Sequence, residues 1–169
     1  AERRATEPIL PLRLFTKNVF SVSVVLSFIV GFALLGTMTF LPTWLQFTDG
    51  VSATMSGLRT LPMVLGLIVA SLTAGALVSR TGRYRIYPIA GGVLILAGVA
   101  LLTQLGTGTS RLVVAADLVL VGCGMGMSFQ TYIIATQNAV QIHQLGIATA
   151  SVQFFRTMGG SFAVAGLGA

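Results

Sequence analysis

The chain has 169 residues, of which 54% are hydrophobic and only 8% carry a charge. A soluble domain has about 25% charged residues, so this composition excludes a water-facing surface and favours an all-α bundle whose partner is the lipid bilayer. The net charge of +6 does not indicate nucleic-acid binding, because the basic residues cluster beside apolar stretches, as they do on the cytoplasmic side of membranes.

The first element is a polar segment followed by a long uncharged stretch. Residues 1–17 contain prolines and basic residues, and we predict that they form a cytoplasmic linker to a transmembrane bundle over residues 18–169. A helix needs about 20 apolar residues to cross the hydrocarbon core. The first span runs from about Val19 to Leu41, and we expect Pro42 to mark its end.

Four further stretches carry at most one charge each and are long enough to span the membrane. These predicted spans run over about Gly57–Ser79, Ile86–Leu105, Leu112–Ile134 and Leu145 to the end of the chain. Most basic residues precede the first span or lie between the second and the third. Both segments are therefore predicted to be cytoplasmic, which gives five spans with the amino-terminal end inside.

The ends of the chain and its glycines lead to two further expectations. The chain begins at Ala1 rather than at methionine and ends at Ala169 within an apolar stretch, so we expect a piece of a longer protein. The fourth span contains Gly122, Gly124 and Gly126. We predict that these glycines pack against neighbouring helices. Phosphate binding is not indicated, because no strand precedes them.

The segment between the second and third spans, GALVSRTGRYR over residues 75–85, resembles the loop signature G-x-L-x-D-R-x-G-R-[RK] of the major facilitator superfamily. The matching residues are Gly75, Leu77, Arg80, Gly82, Arg83 and Arg85. Ser79 replaces the acidic residue, which in the family helps to hold the transporter closed on the inside. The resemblance therefore implies the fold of this family, with that latch in doubt at this copy.

Three other segments are similar to the drug:proton antiporter family with fourteen spanning helices. They are FLPTWLQ over residues 40–46, GIATAS over 146–151 and FRTMGGS over 155–161. This resemblance implies five helices from the second half of a transporter in a bacterial plasma membrane, without the amino-terminal half. It also implies the export of drug-like amphipathic or cationic compounds by alternating access, with protons as the coupling ion.

Two ionisable residues inside predicted spans are the candidates for transport or coupling. Arg156 lies near the middle of the fifth span, where a charge costs at least about 2.5 kcal/mol, so we expect it to face the bundle interior. Its role is either coupling and gating or an ion pair that holds helices together. Asp117 is either a protonation site or, as we favour, a solvated rim residue or a partner of Arg111.

Polar, aromatic and thioether side chains in the fourth and fifth spans are candidates for the substrate path. They are Met127, Gln130 and Tyr132 on the fourth span, with Gln153 and Phe154 on the fifth. Such surfaces suit varied apolar cations, because methionine adapts its shape and aromatic faces attract positive charge. For each residue taken singly, helix packing or lipid contact is the simpler interpretation.

Other functional classes remain as alternatives or are disfavoured. An enzyme is disfavoured, because catalysis needs clustered acids, bases, nucleophiles or metal ligands, and this chain has one histidine and one cysteine. We predict no catalytic residue, no metal site and no cofactor. A major-facilitator transporter of another small solute and a non-transporting membrane remnant remain open.

Overall fold

The structure is a computed structural model that describes residues 14–15, 17–82, 86–103 and 110–168, apart from the side chain of Arg111. These residues form five α-helices and, before the last helix, a short 3-10 turn over Ile142–Gln144. The helices are α1 (Asn18–Asp49), α2 (Ala53–Thr81), α3 (Ile86–Leu102), α4 (Arg111–Asn138) and α5 (Leu145–Leu167). No strand occurs within the described ranges, and the predicted all-α membrane helix bundle is confirmed.

The five helices differ in their individual ability to cross a bilayer. By length and composition, α1, α2 and residues Leu112–Asn138 of α4 are long and apolar enough. The 17 residues of α3 extend over about 26 Å, and the 23 residues of α5 over about 35 Å. The hydrocarbon core is about 30 Å thick, so α3 is the shortest of the five for this task.

The prediction that Pro42 ends the first helix is wrong. α1 continues through Pro42 to Asp49, and it stops at Gly50, whose φ of 62° is left-handed. Proline removes one backbone hydrogen bond, yet membrane helices tolerate it where neighbouring groups compensate. The side-chain amide of Gln46 donates to the Pro42 carbonyl at 3.2 Å, and Leu45 is buried, so packing continues beyond the proline.

Two other helices also extend beyond the predicted spans. α2 begins earlier than predicted, where the Ser52 hydroxyl accepts a hydrogen bond from the Met55 backbone N–H at 3.4 Å. It ends at Gly82, whose φ of 67° is left-handed and whose N–H donates to the Val78 carbonyl at 2.8 Å. α4 runs to Asn138 rather than stopping near Ile134. In both helices the hydropathy pattern located the apolar centre but not the exact ends, and in α2 the capping residues Ser52 and Gly82 set them.

α4 lies between α2 and α3, and it packs closely against each of them through glycines on opposite sides. A Cβ atom on Gly122 would collide with the Met63 carbonyl of α2, and one on Gly126 with that of Leu67. Residue numbers rise together, so α2 and α4 run parallel. Gly124, on the opposite side, lies against Gly91 of α3. The prediction that these glycines pack against helices therefore agrees with the structure.

α3 runs antiparallel to α4 along the second line of close contact. A Cβ atom on Gly91 would lie 2.6 Å from the carbonyl oxygen of Gly124. Further along α3, one on Gly98 would lie 2.5 Å from Cγ2 of Val121. Because these separations are shorter than van der Waals contact, only glycine allows the two backbones to approach so closely.

α1 and α5 form a second parallel pair, because Val24 packs with Ala148 and Val152 and Gly36 lies near Ala163 and Leu167 further along both helices. α1 also touches α2 and α4. The backbone of Gly31 in α1 lies against the carbonyl group of Arg156 in α5, with no space for a Cβ atom. Gly159 is equally close to the Phe28 carbonyl. The helices therefore cross with their backbones in contact at this point.

The buried side chains form two apolar clusters. The first joins α1 to α5 and contains Leu14, Phe20, Val24, Ala148 and Val152. The second joins α2 to α4 and contains Met63, Leu118, Val121 and Met125. Leu14 precedes α1, so the end of the predicted linker packs against the bundle, whereas residues 1–13 and 16 lie outside the described residues.

The helix directions give the bundle two distinct ends. At one end α1, α3 and α5 begin and α2 and α4 finish. We call it the basic end because it carries Lys17, whose Nζ donates to the Ala139 carbonyl at 2.6 Å, and exposed Arg80. At the opposite end Arg59 of α2 forms an ion pair with Asp49 of α1.

Candidate functional site

Arg156 lies where three helices meet. Its backbone is in contact with Gly31 of α1, and its side chain extends to α4. There the Cζ atom is 3.9 Å from the centre of the Phe129 ring, which is a cation–π geometry. The side chain is partly buried, as expected for a charge that faces other helices instead of lipid.

The guanidinium of Arg156 has no carboxylate partner among the described residues. The ion pair between Asp49 and Arg59 is the one found there. Asp117 and Phe129 are twelve residues apart on α4, which is about 18 Å along the helix axis. The structure therefore does not bring together the two predicted coupling residues, and an Arg156–Asp117 pair does not form.

Asp117 is buried, and our preferred interpretation of it as a solvated rim residue is wrong. Its exposed fraction is 4%, and its Oδ2 atom has no hydrogen-bond partner in the described part of the chain. Its backbone carbonyl faces Gly98 of α3, so the close α3–α4 contact covers this part of α4. The side chain of Arg111, the other proposed partner, lies outside the described atoms.

The candidates for the substrate path have different surroundings. Gln130 lies over Gly75 of α2, with its Cγ 3.1 Å from the place of a Cβ there. Tyr132 is buried and Met127 is partly buried. On α5, Gln153 and Phe154 are exposed. The five side chains therefore differ in exposure: Tyr132 is buried, Met127 and Gln130 are partly buried, and the two residues of α5 are exposed.

The loop signature has two structural roles within its described part. Gly75 gives the Gln130 side chain room between α2 and α4. Gly82 ends α2 in a left-handed conformation that other residues rarely adopt. Arg80 is in the last turn of α2 and exposed, whereas the sequence predicted it in a loop. Arg83 and Arg85 lie outside the described residues.

The sequence did not single out Phe129 or Gly31 as neighbours of Arg156. Their importance depends on how α1 and α4 are placed beside α5. No spacing within one helix indicates such a contact between helices. A cation in one span together with an aromatic residue in another is the only available signal, and it does not identify the pair.

An open apolar groove of about 440 Å³ runs along α1 towards the end opposite the basic end. Its lining includes Phe32, Gly36, Phe40 and Trp44 from α1, Val99 from α3 and Leu167 from α5. None of the predicted path or coupling residues lines it. Within the described residues, no three His, Cys, Asp or Glu side chains lie close enough together to hold a metal ion.

Comparison with known proteins places the whole chain in one family. The sequence profile of the Major Facilitator Superfamily matches residues 1–164. An MFS-type transporter of Mycobacterium tuberculosis, named as uncharacterized, is 50% identical over 168 residues, which are 99% of this chain and 24% of that protein.

Two relatives with functional names are more distant. The multidrug transporter protein MdtP of Bacillus subtilis is 38% identical over 99% of this chain and 31% of its own length. A tetracycline resistance determinant of Streptomyces rimosus is 32% identical over 96% of this chain and 47% of its own length. The chain thus spans less than half of each of these curated relatives.

Proposed function

Because the chain belongs to the Major Facilitator Superfamily, we propose that it supplies five helices of the second half of a complete drug exporter. The family and the named relatives are membrane transporters, so the chain is not an enzyme. The proposed substrates are drug-like amphipathic or cationic compounds, which leave the cell in exchange for protons. The names of MdtP and of the tetracycline resistance determinant support this substrate class.

The proposed arrangement places the basic end of the bundle in the cytoplasm of a bacterium. Residues 1–17 then connect residues 18–169 to the amino-terminal half of the transporter on the inner side of the plasma membrane. Lys17 and Arg80 at this end support the orientation, because basic residues are retained on the cytoplasmic side. Transport follows from rocking of the two halves about a site near the middle of the membrane.

The position of Arg156 is the observation that carries the proposal. A charged side chain near the centre of a membrane helix is costly, and it is characteristically found where a substrate or ion passes. Arg156 meets this description, since it lies about 17 Å from the start of α5 and contacts α1 and α4. In the proposal Arg156 is the cationic group of the path and part of the coupling machinery.

Asp117 is the proposed proton-binding group. Its side chain is buried, and Oδ2 has no hydrogen-bond partner among the described residues. The proton on Asp117 and the compound near Arg156 occupy different depths in the bundle, which suits exchange of the two.

The test is efflux of a fluorescent drug from cells that express the complete transporter. We expect efflux that stops when an uncoupler collapses the proton gradient, and no efflux from the Arg156→Ala variant at equal membrane abundance. Arg59→Ala is the matched control: Arg59 is near the opposite end in an ion pair with Asp49, and such surface pairs contribute at most about 1 kcal/mol. Uncoupler-resistant efflux would exclude proton coupling, and normal efflux by Arg156→Ala would remove Arg156 from the mechanism.

A further inference from the structure

The guanidinium of Arg156 contacts the Phe129 ring through one face, whereas its N–H groups have no partner among the described residues. The Phe129 ring covers one face at 3.9 Å from Cζ. A guanidinium directs five N–H donors outward in its own plane, so a ring stacked on the face satisfies none of them. No ion pair or hydrogen bond to a described side chain or carbonyl involves these donors.

The backbone beneath this side chain is fixed. Gly31 of α1 lies directly against the carbonyl group of Arg156, so α5 cannot turn here without separating from α1. Phe129 of α4 then defines where the guanidinium is placed. The charge is about 17 Å along α5 from Leu145, close to the middle of a core about 30 Å thick. Lipid phosphate groups are too distant to pair with it.

The acidic residues of the described part are also too distant. Asp49 is paired with Arg59 near the opposite end of the bundle. Asp117 is about 18 Å along α4 from Phe129. The two remaining acids of the chain, Glu2 and Glu7, lie outside the described residues and precede α1 in the sequence. The described bundle therefore presents a cation at mid-depth with no anion to meet it.

Resting on the transport function proposed above, we infer that Arg156 is a subsite for an acidic oxygen of the transported compound. Among the amphipathic compounds, those that carry a carboxylate or a comparable anion bind best. Charge-assisted hydrogen bonds from a guanidinium to a carboxylate are strong, especially where water is excluded. The same charge repels a compound that is only cationic, so the subsite favours acids and zwitterions over simple cations.

The test compares the binding of two dyes to the complete transporter in lipid nanodiscs. One dye is a rhodamine with a free benzoate, and the other is its methyl ester, which lacks only the anion. Fluorescence anisotropy gives the dissociation constant of each. We expect Arg156→Gln to weaken binding of the acid by about tenfold or more, and not to weaken binding of the cationic ester.

Two further variants separate recognition from misfolding. Phe129→Leu removes the ring that orients the guanidinium and should weaken binding of the acid less than Arg156→Gln does. Arg59→Gln changes an arginine near the opposite end of the bundle and should alter neither affinity. Size-exclusion profiles and helicity establish that each variant is folded. If Arg156 had a merely structural role, Arg156→Gln would weaken the binding of both dyes to the same extent. The ratio of the two affinities is therefore the decisive quantity.

The outcomes distinguish this inference from the proposed function. Three results would each overturn the subsite: an equal loss of affinity for the two dyes in Arg156→Gln, no loss of affinity for the acid in that variant, or no binding of the acid by the unaltered transporter. None of these results concerns whether the transporter exports drugs with protons. Conversely, the absence of uncoupler-sensitive efflux would refute the export function even if binding remained selective for the acid.

Discussion

A pair of adjacent glycines in α3 tests whether the close contact between α3 and α4 holds the bundle together. A Cβ atom on Gly91 would lie 2.6 Å from the Gly124 carbonyl oxygen, whereas one on Gly92 would have nothing within 4 Å. Non-bonded carbon and oxygen atoms lie about 3.3–3.6 Å apart, so Gly91→Ala must separate the two helices by about 0.7–1.0 Å at this point.

The expected free-energy difference follows from these distances. Both Gly91→Ala and Gly92→Ala improve helix propensity by up to about 1 kcal/mol, and this gain cancels when the variants are compared. Inserting a methyl group into a packed contact costs about 1–3 kcal/mol. We therefore expect Gly91→Ala to be less stable than Gly92→Ala by about 1–3 kcal/mol.

The assay is equilibrium unfolding of the purified transporter in mixed micelles with increasing SDS, followed by far-ultraviolet circular dichroism. Gly92→Ala is the matched control, because it has the same chemistry one residue along the same helix. Equal stability of the two variants would refute the reasoning that the α3–α4 contact depends on glycine at residue 91. A greater loss for Gly92→Ala would show that α3 is rotated relative to the structure described.

Three further predictions concern other parts of the bundle. Gly82→Ala should lower stability by about 1–2 kcal/mol because of the left-handed φ, and Gly82→Asn less; equal melting temperatures of these variants and the unaltered protein would contradict this. Asp117→Asn should abolish pH-driven uptake in proteoliposomes without loss of stability, because an amide is less costly to bury than an unpaired carboxylate. Proton-driven uptake by that variant would place the proton elsewhere. Arg156→Lys should remain impaired in efflux, since an ammonium lacks the planar fork that stacks on Phe129; full efflux would mean that charge alone suffices.

Local features of the chain predicted the helices and their membrane setting. Hydropathy identifies the apolar centre of every helix, and the loop signature includes Gly82, which ends α2 in a left-handed conformation. Helix ends were less well predicted. α1 passes through Pro42, because a membrane helix and its neighbours tolerate a missing hydrogen bond that would end many helices in water.

The contacts between helices were decided by tertiary structure. Helices that are apolar on all sides carry no stripe that identifies which face meets which neighbour. The sequence of this chain therefore indicated that Gly122, Gly124 and Gly126 would pack, but not that they would divide between α2 and α3. In the same way, the long apolar stretches around Arg156 and Asp117 indicated that both residues lie inside the membrane. Only the rotation and crossing of the helices set Phe129 beneath the guanidinium and buried Asp117, because both depend on side chains from separate helices meeting at one depth.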